Sequence, residues 1–139
     1  MKAVGLSLLF ITLFAMSYGA LQKYSVKGRL LCGETPGANI TVKLVDKDFG
    51  PDDTLGRVKS GRDGTFQVEG TANGGLTGID PTLKIYHKCN GGINPCARRW
   101  RMKMPKKYIV NANQPSNWFD VGTLNLIVKL EHSEDRDCI

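Results

Sequence analysis

Apolar residues recur at every second position in short runs along most of this chain, and turn residues break the runs about every ten positions. A period of two puts alternate side chains on opposite faces of a strand, so the pattern selects β structure over helix. Tyr24, Val26, Leu30 and Cys32 share one parity, with Ser25, Lys27 and Arg29 on the other. Ile40, Val42 and Leu44 alternate with Thr41 and Lys43. Residues 55–60 predict a third strand. Gly61-Arg62-Asp63-Gly64 then predicts a hairpin turn, because Asp-Gly readily supplies positive φ, and Phe66 and Val68 mark the return. Leu83, Ile85, His87 and Cys89 share a parity. Trp100, Met102 and Met104 alternate with Arg99, Arg101 and Lys103 until Pro105, which cannot donate to a ladder. Residues 108–110 predict a short strand, and Val121, Leu124, Leu126, Val128 and Leu130 the last one, before a charged tail. The expected fold is all-β: an antiparallel β-sandwich of about seven to eight strands, immunoglobulin-like in architecture.

The first nineteen residues stand apart. Lys2 is a positive start, residues 3–15 are uncharged and apolar, and Ser17-Tyr18-Gly19 offers small residues where a signal peptidase reads. The run is shorter than the ~20 residues of a spanning helix. We therefore expect a secretory signal peptide at residues 1–19 and one domain at 20–139, secreted and not membrane-spanning. Secretion gives Cys32, Cys89, Cys96 and Cys138 an oxidising compartment, so four cysteines imply two disulfides. Three pairings are possible. We expect Cys89 with Cys96, clipping a hairpin, and Cys32 with Cys138. Asn39-Ile40-Thr41 is an N-glycosylation sequon.

Catalytic chemistry finds little support. His87 and His132 are the only histidines, and no Gly-x-Ser-x-Gly elbow exists. His87 has the parity of its apolar neighbours and is expected in the core, whereas His132 falls in the charged tail. His87, Cys89 and Cys96 have the chemistry of zinc ligands, but oxidising conditions favour disulfides over thiolates. Asp46, Asp48, Asp52 and Asp53 crowd one loop and form a weak calcium candidate, because hard cations take several carboxylate oxygens. Aspartates are also ordinary turn formers. No other cofactor is expected.

The net charge of +6 is concentrated in one place. Arg98, Arg99, Arg101, Lys103, Lys106 and Lys107 put six cations into ten residues. On a strand, Arg99, Arg101 and Lys103 share one face at about 6.7 Å intervals. Such a row attracts an anionic partner: a phospholipid surface, a glycan or an acidic receptor. Nucleic acid is not expected, since the chain is read as secreted and no exposed aromatics interleave with the cations. Trp118 and Phe119 are expected as a core plug at a loop-to-strand junction.

Several segments resemble the nematode transthyretin-like family. They are Val26-Lys27-Gly28-Arg29-Leu30-Leu31-Cys32-Gly33, Val42-Lys43-Leu44-Val45-Asp46, Asp63-Gly64-Thr65-Phe66, Ile79-Asp80-Pro81-Thr82-Leu83-Lys84-Ile85-Tyr86-His87-Lys88-Cys89-Asn90, Cys96-Ala97-Arg98-Arg99-Trp100 and Arg136-Asp137-Cys138. The resemblance implies a transthyretin-like sandwich and a small secreted protein engaged in extracellular recognition. Related urate-pathway hydrolases end in Tyr-Arg-Gly-Ser, whereas this chain ends Asp135-Arg136-Asp137-Cys138-Ile139, which argues against hydrolysis. The expected function is non-enzymatic binding of an extracellular protein or an anionic lipid or glycan surface, as a cell-surface adaptor. The alternative is a carrier of a small apolar ligand.

Overall fold

A computed structural model describes residues 21–47 and 51–138. The signal-peptide expectation falls on residues 1–19 and lies outside the described residues, as does Asp48. Among the described residues, ten strands form two five-stranded sheets. The first sheet is built on β1 (Leu21–Cys32), which pairs antiparallel with β5 (Thr65–Asn73), β2 (Thr35–Pro36) and β8 (Val110–Asn111). β9 (Phe119–Asn125) runs parallel to β1, an exception to the expected antiparallel pattern. The second sheet has the order β10-β7-β6-β3-β4, all antiparallel: β10 (Glu134–Asp137), β7 (Ala97–Lys103), β6 (Pro81–His87), β3 (Thr41–Asp46) and β4 (Asp53–Lys59).

The core follows the period-two reading. Tyr24, Val26 and Leu30 from β1 and Phe66 and Val68 from β5 meet Val42, Leu44, Leu83, Ile85 and Trp100 from the second sheet. Each is at least nine-tenths buried, and burying one such side chain contributes about 1.5–3 kcal/mol. Phe119 packs at 4.9 Å against the Tyr108 ring and, like Trp118, is half-buried.

The turn at 61–64 forms as expected, with Gly64 at φ 85° and Asp63 Oδ1 accepting the Thr65 N–H at 3.0 Å. Its two strands do not pair with each other. β4 stays in the second sheet with β3, while β5 joins β1 in the first. Glycine makes this divergence possible. A β-carbon on Gly70 would stand 1.9 Å from the Leu55 carbonyl oxygen, so the two backbones cross at a distance only glycine permits.

The disulfides correct the expected pairing: Cys32 bridges Cys89, and Cys96 bridges Cys138. Cys32 and Cys89 each carry the inward parity of their strands, so they face each other across the sandwich and not along one edge. Cys96 and Cys138 sit one position beyond the paired residues Ala97 and Asp137, and so lock β10 onto β7. The bridges span 57 and 42 residues. The chain-entropy model assigns each about 4 kcal/mol.

Candidate functional site

The outward face of the second sheet gathers cations from four strands. Residues directly opposite in an antiparallel pair share a face. Arg57 lies opposite Lys43, Lys43 opposite Lys84, and Lys84 opposite Arg101. The result is a transverse row of four cations, one per strand, at about 4.8 Å per step. The next row carries Arg99, Tyr86, Thr41 and Lys59 in register. Lys103 continues the β7 side.

This arrangement alters the expected site residue by residue. Arg99, Arg101 and Lys103 share the outward face of β7, as expected. Arg98 does not: it is 3% exposed and points inward with the parity of Trp100. All five of its N–H groups are used. Nε and one Nη donate to Glu134 at 2.8 and 2.7 Å, and the remaining donors reach the carbonyls of Cys89, Leu126 and Val128 at 2.7–2.9 Å. Arg98 is therefore a structural strut, not a contact. Hydrogen bonds from Arg98 hold the Glu134 carboxyl below its ordinary range despite burial. Lys106 and Lys107 are exposed on a short 3-10 turn where the chain crosses to the first sheet, away from the row.

The charged tail is a strand, and it neutralises part of the β7 row. Asp135 lies opposite Arg99 and accepts hydrogen bonds from Arg99 at 2.8 and 2.5 Å and from Arg101 at 2.6 Å. Asp137 approaches Arg99 at 3.8 Å. The Arg99 hydrogen bonds, with the Arg101 charge behind them, hold the Asp135 carboxyl below its usual range. Lys84 pairs with Asp52 at 2.5 Å. Among the described residues, no carboxylate lies within ion-pair distance of Lys43, Arg57, Lys59 or Lys103. The uncompensated charge thus centres on β3 and β4 as well as the end of β7. Tyr86 stands between the two halves, with Lys43 Nζ 5.4 Å and the Arg99 guanidinium 6.0 Å from its ring centre. An open groove of about 500 Å³ runs here, lined by Thr41, Lys43, Arg57, Tyr86, Ala97, Arg99 and Asp137.

Sequence reasoning missed Lys43, Arg57, Lys59, Lys84 and Tyr86. The alternation within β3 and β6 already turned Lys43, Lys84 and Tyr86 outward. Only the strand order, which no local pattern carries, places them beside Arg101 and Arg99.

Asp46 lies opposite Asp53 in the β3–β4 pairing; Asp46 is buried and accepts the Asp80 N–H at 2.8 Å, Asp52 holds Lys84, and Asp53 is exposed at the β4 start. Among the described residues no three His, Cys, Asp or Glu side chains are placed to share a metal ion. Asn39 is exposed at φ 57° in the turn before β3. His87 is 4% exposed, its Nδ1 accepts the Cys89 N–H at 3.2 Å, and its ring meets the Trp100 edge. Burial, and then the Arg98 charge, push its pKa down to about 4. The neutral ring is thus built into the core. His132 is exposed.

A two-sheet sandwich, stapled through its interior by one disulfide and along an edge by another, defines the class. Comparison with known proteins places it further: the model of the transthyretin-like family matches residues 27–105, and the chain belongs to that family. Transthyretin-like protein 33 of Caenorhabditis elegans is 42% identical over 120 residues, covering 85% of this chain and 82% of its own. Transthyretin-like protein 46 of the same organism is 45% identical over 109 residues, covering 76% and 60%. Transthyretin-like protein 5 is 36% identical over 137 residues, covering 95% and 97%. Among solved structures, a 9R-lipoxygenase from Cyanothece aligns with a TM-score of 0.43 and 21% identity over 76% of this chain and 16% of that one, too loose a likeness to argue from.

Proposed function

We propose that this protein is a secreted, non-enzymatic binding module that docks an anionic extracellular partner on the outward face of its second sheet. One observation carries the reading. Arg57, Lys43, Lys84 and Arg101 stand directly opposite one another across four strands, although like charges in register destabilise a sheet. Two of the four, Lys84 and Arg101, have carboxylate partners, while Lys43 and Arg57 have none among the described residues. A feature that costs stability without a structural return is the usual mark of a functional surface. Disulfides and the apolar leader support secretion.

The carrier reading has less behind it. The space between the sheets is filled by Tyr24, Leu30, Leu44, Leu83, Ile85 and Trp100, all nearly or fully buried. Most grooves among the described residues are open and bordered by charge, as at Lys47, Arg101, Lys103 and Glu134. The test is retention of the secreted protein on a panel of acidic surfaces (phosphatidylserine vesicles, heparin beads and a polyglutamate resin) at low and high salt, with neutral vesicles as control. Salt-sensitive retention on at least one acidic surface is expected. Equal behaviour on acidic and neutral surfaces overturns the proposal.

A further inference from the structure

Resting on the anionic-partner reading, we infer that the partner is a sulfated polysaccharide chain, laid across the strands along Arg57, Lys43, Lys84 and Arg101. Three features separate a flexible chain from a lipid surface. The first is shape. Neighbouring strands rotate by roughly 20–25°, so a row crossing four strands turns by roughly 60–75° from end to end. A chain of linked sugars follows that turn, while a flat bilayer meets only part of it.

The second is apolar surface: among the described residues, the exposed large hydrophobics Leu21, Leu76, Ile93, Ile127 and Val128 all lie outside the strands of the second sheet. Stable membrane attachment takes an apolar signal in addition to charge. A polyanion needs no such anchor, because its affinity comes from ion pairing and counterion release.

The third is Tyr86. Its ring lines the groove within cation–π distance of Lys43 and Arg99. A sugar ring packs against an aromatic side chain while its sulfate groups reach the flanking cations. Arg57 presents a planar donor fork suited to paired oxygens, whereas Asp135 already takes the fork of Arg99 and one donor of Arg101. The carboxylates of Asp52, Asp135 and Asp137 compensate one side of the face and leave the β3–β4 half as the stronger attractor.

The experiment measures binding of the secreted, disulfide-bonded protein to heparin and to phosphatidylserine vesicles, across a salt series. Wild type is expected to bind heparin. Lys43→Ser/Arg57→Ser is expected to bind heparin about 30-fold more weakly, with the slope of log K against log salt reduced by about 1.4–1.8. Tyr86→Ser is expected to lose roughly three- to tenfold on heparin while leaving any vesicle binding unchanged. Lys106→Ser/Lys107→Ser is expected to retain most of the affinity. None of the substituted residues is buried, and circular dichroism is the check that each variant is folded. Heparin binding that survives Lys43→Ser/Arg57→Ser, or falls equally with Lys106→Ser/Lys107→Ser, overturns the site. Binding to vesicles or to polyglutamate without binding to heparin overturns the glycan while leaving the proposed function standing. Failure on every acidic surface overturns both.

Discussion

Arg98 offers the sharpest test of how this chain spends its charges. Replacing it with Leu removes five hydrogen bonds at once and leaves the Glu134 carboxylate, 6% exposed in its side chain, without its cation. Breaking a buried ion pair from one side costs about 3–5 kcal/mol. Each buried carbonyl left unpaired adds about 1–3 kcal/mol, less where water enters. These terms overlap, so we expect about 4–6 kcal/mol in total, against a stability of about 5–15 kcal/mol for a domain of this size. Arg98→Lys keeps the charge but has three donors for five acceptors, and is expected to cost about 2–3 kcal/mol. Adding Glu134→Gln to Arg98→Leu removes the orphaned charge while retaining an acceptor for the Trp100 indole, which bonds Glu134 at 2.8 Å. That double variant should recover about 1–2 kcal/mol. Urea unfolding with the disulfides intact, followed by tryptophan fluorescence, measures all three. If Arg98→Leu costs less than about 1 kcal/mol, or Glu134→Gln brings no recovery, the strut reasoning is wrong. The result also guards the binding experiments, since an Arg98 variant would lose its partner by losing its fold.

Four further outcomes follow from the same geometry. The depressed His87 pKa means that the unfolded chain, with an ordinary value near 6.5, takes up a proton first. Its contribution is therefore complete above pH 6.5 and is lost as pH falls from 6.5 to about 4, by at most about 3 kcal/mol. His87→Asn, which keeps an acceptor for the Cys89 N–H, should flatten the melting temperature over that window, and an unchanged slope refutes the assignment. Opening Cys32–Cys89 with paired Ser substitutions should cost about 4 kcal/mol in denaturant titrations, and peptide mapping of the oxidised protein should find no Cys89–Cys96 linkage. Lys43→Thr/Arg57→Thr should raise stability by roughly 0.5–1 kcal/mol in urea while weakening polyanion binding; a loss of stability would show that the row is structural. Asn39, exposed beside the Lys59 end of the cationic face, should carry a glycan when the protein is secreted, seen as a mobility shift on amidase treatment.

The parts legible from sequence were those that depend on one strand at a time. Period two put Tyr24, Val26, Leu44, Ile85 and Trp100 inside, and the structure buries each of them. The same rule, carried two residues back from Trp100, would have turned Arg98 inward; clustering with its charged neighbours masked it. Parity also pointed Cys32 and Cys89 into the sandwich, but the short loop from Cys89 to Cys96 suggested a local clip. What no local pattern carries is which strands become neighbours. The β4–β5 turn has a hairpin sequence, yet its strands enter different sheets, β4 beside β3 and β5 beside β1. The polar segment 134–137 has no apolar alternation at all, and it is a strand only because β7 offers a free edge of complementary charge.

That last strand decides where this sheet leaves its cations uncompensated, and so where the proposed partner would dock. Taken alone, β7 is the most cationic segment of the chain, and a partner would be sought along it. Pairing with β10 sets Asp135 against Arg99 and Arg101, with Asp137 close behind, and the Cys96–Cys138 bridge makes the arrangement permanent. The β7 arginines are thereby oriented and largely compensated. The attraction passes to Lys43, Arg57 and Lys59, which entered the sheet on strands chosen for their apolar inner faces. A row along one strand became a row across four. Its direction, perpendicular to the backbone and twisted with the sheet, is a property of the fold, and it favours a partner long and flexible enough to follow that twist.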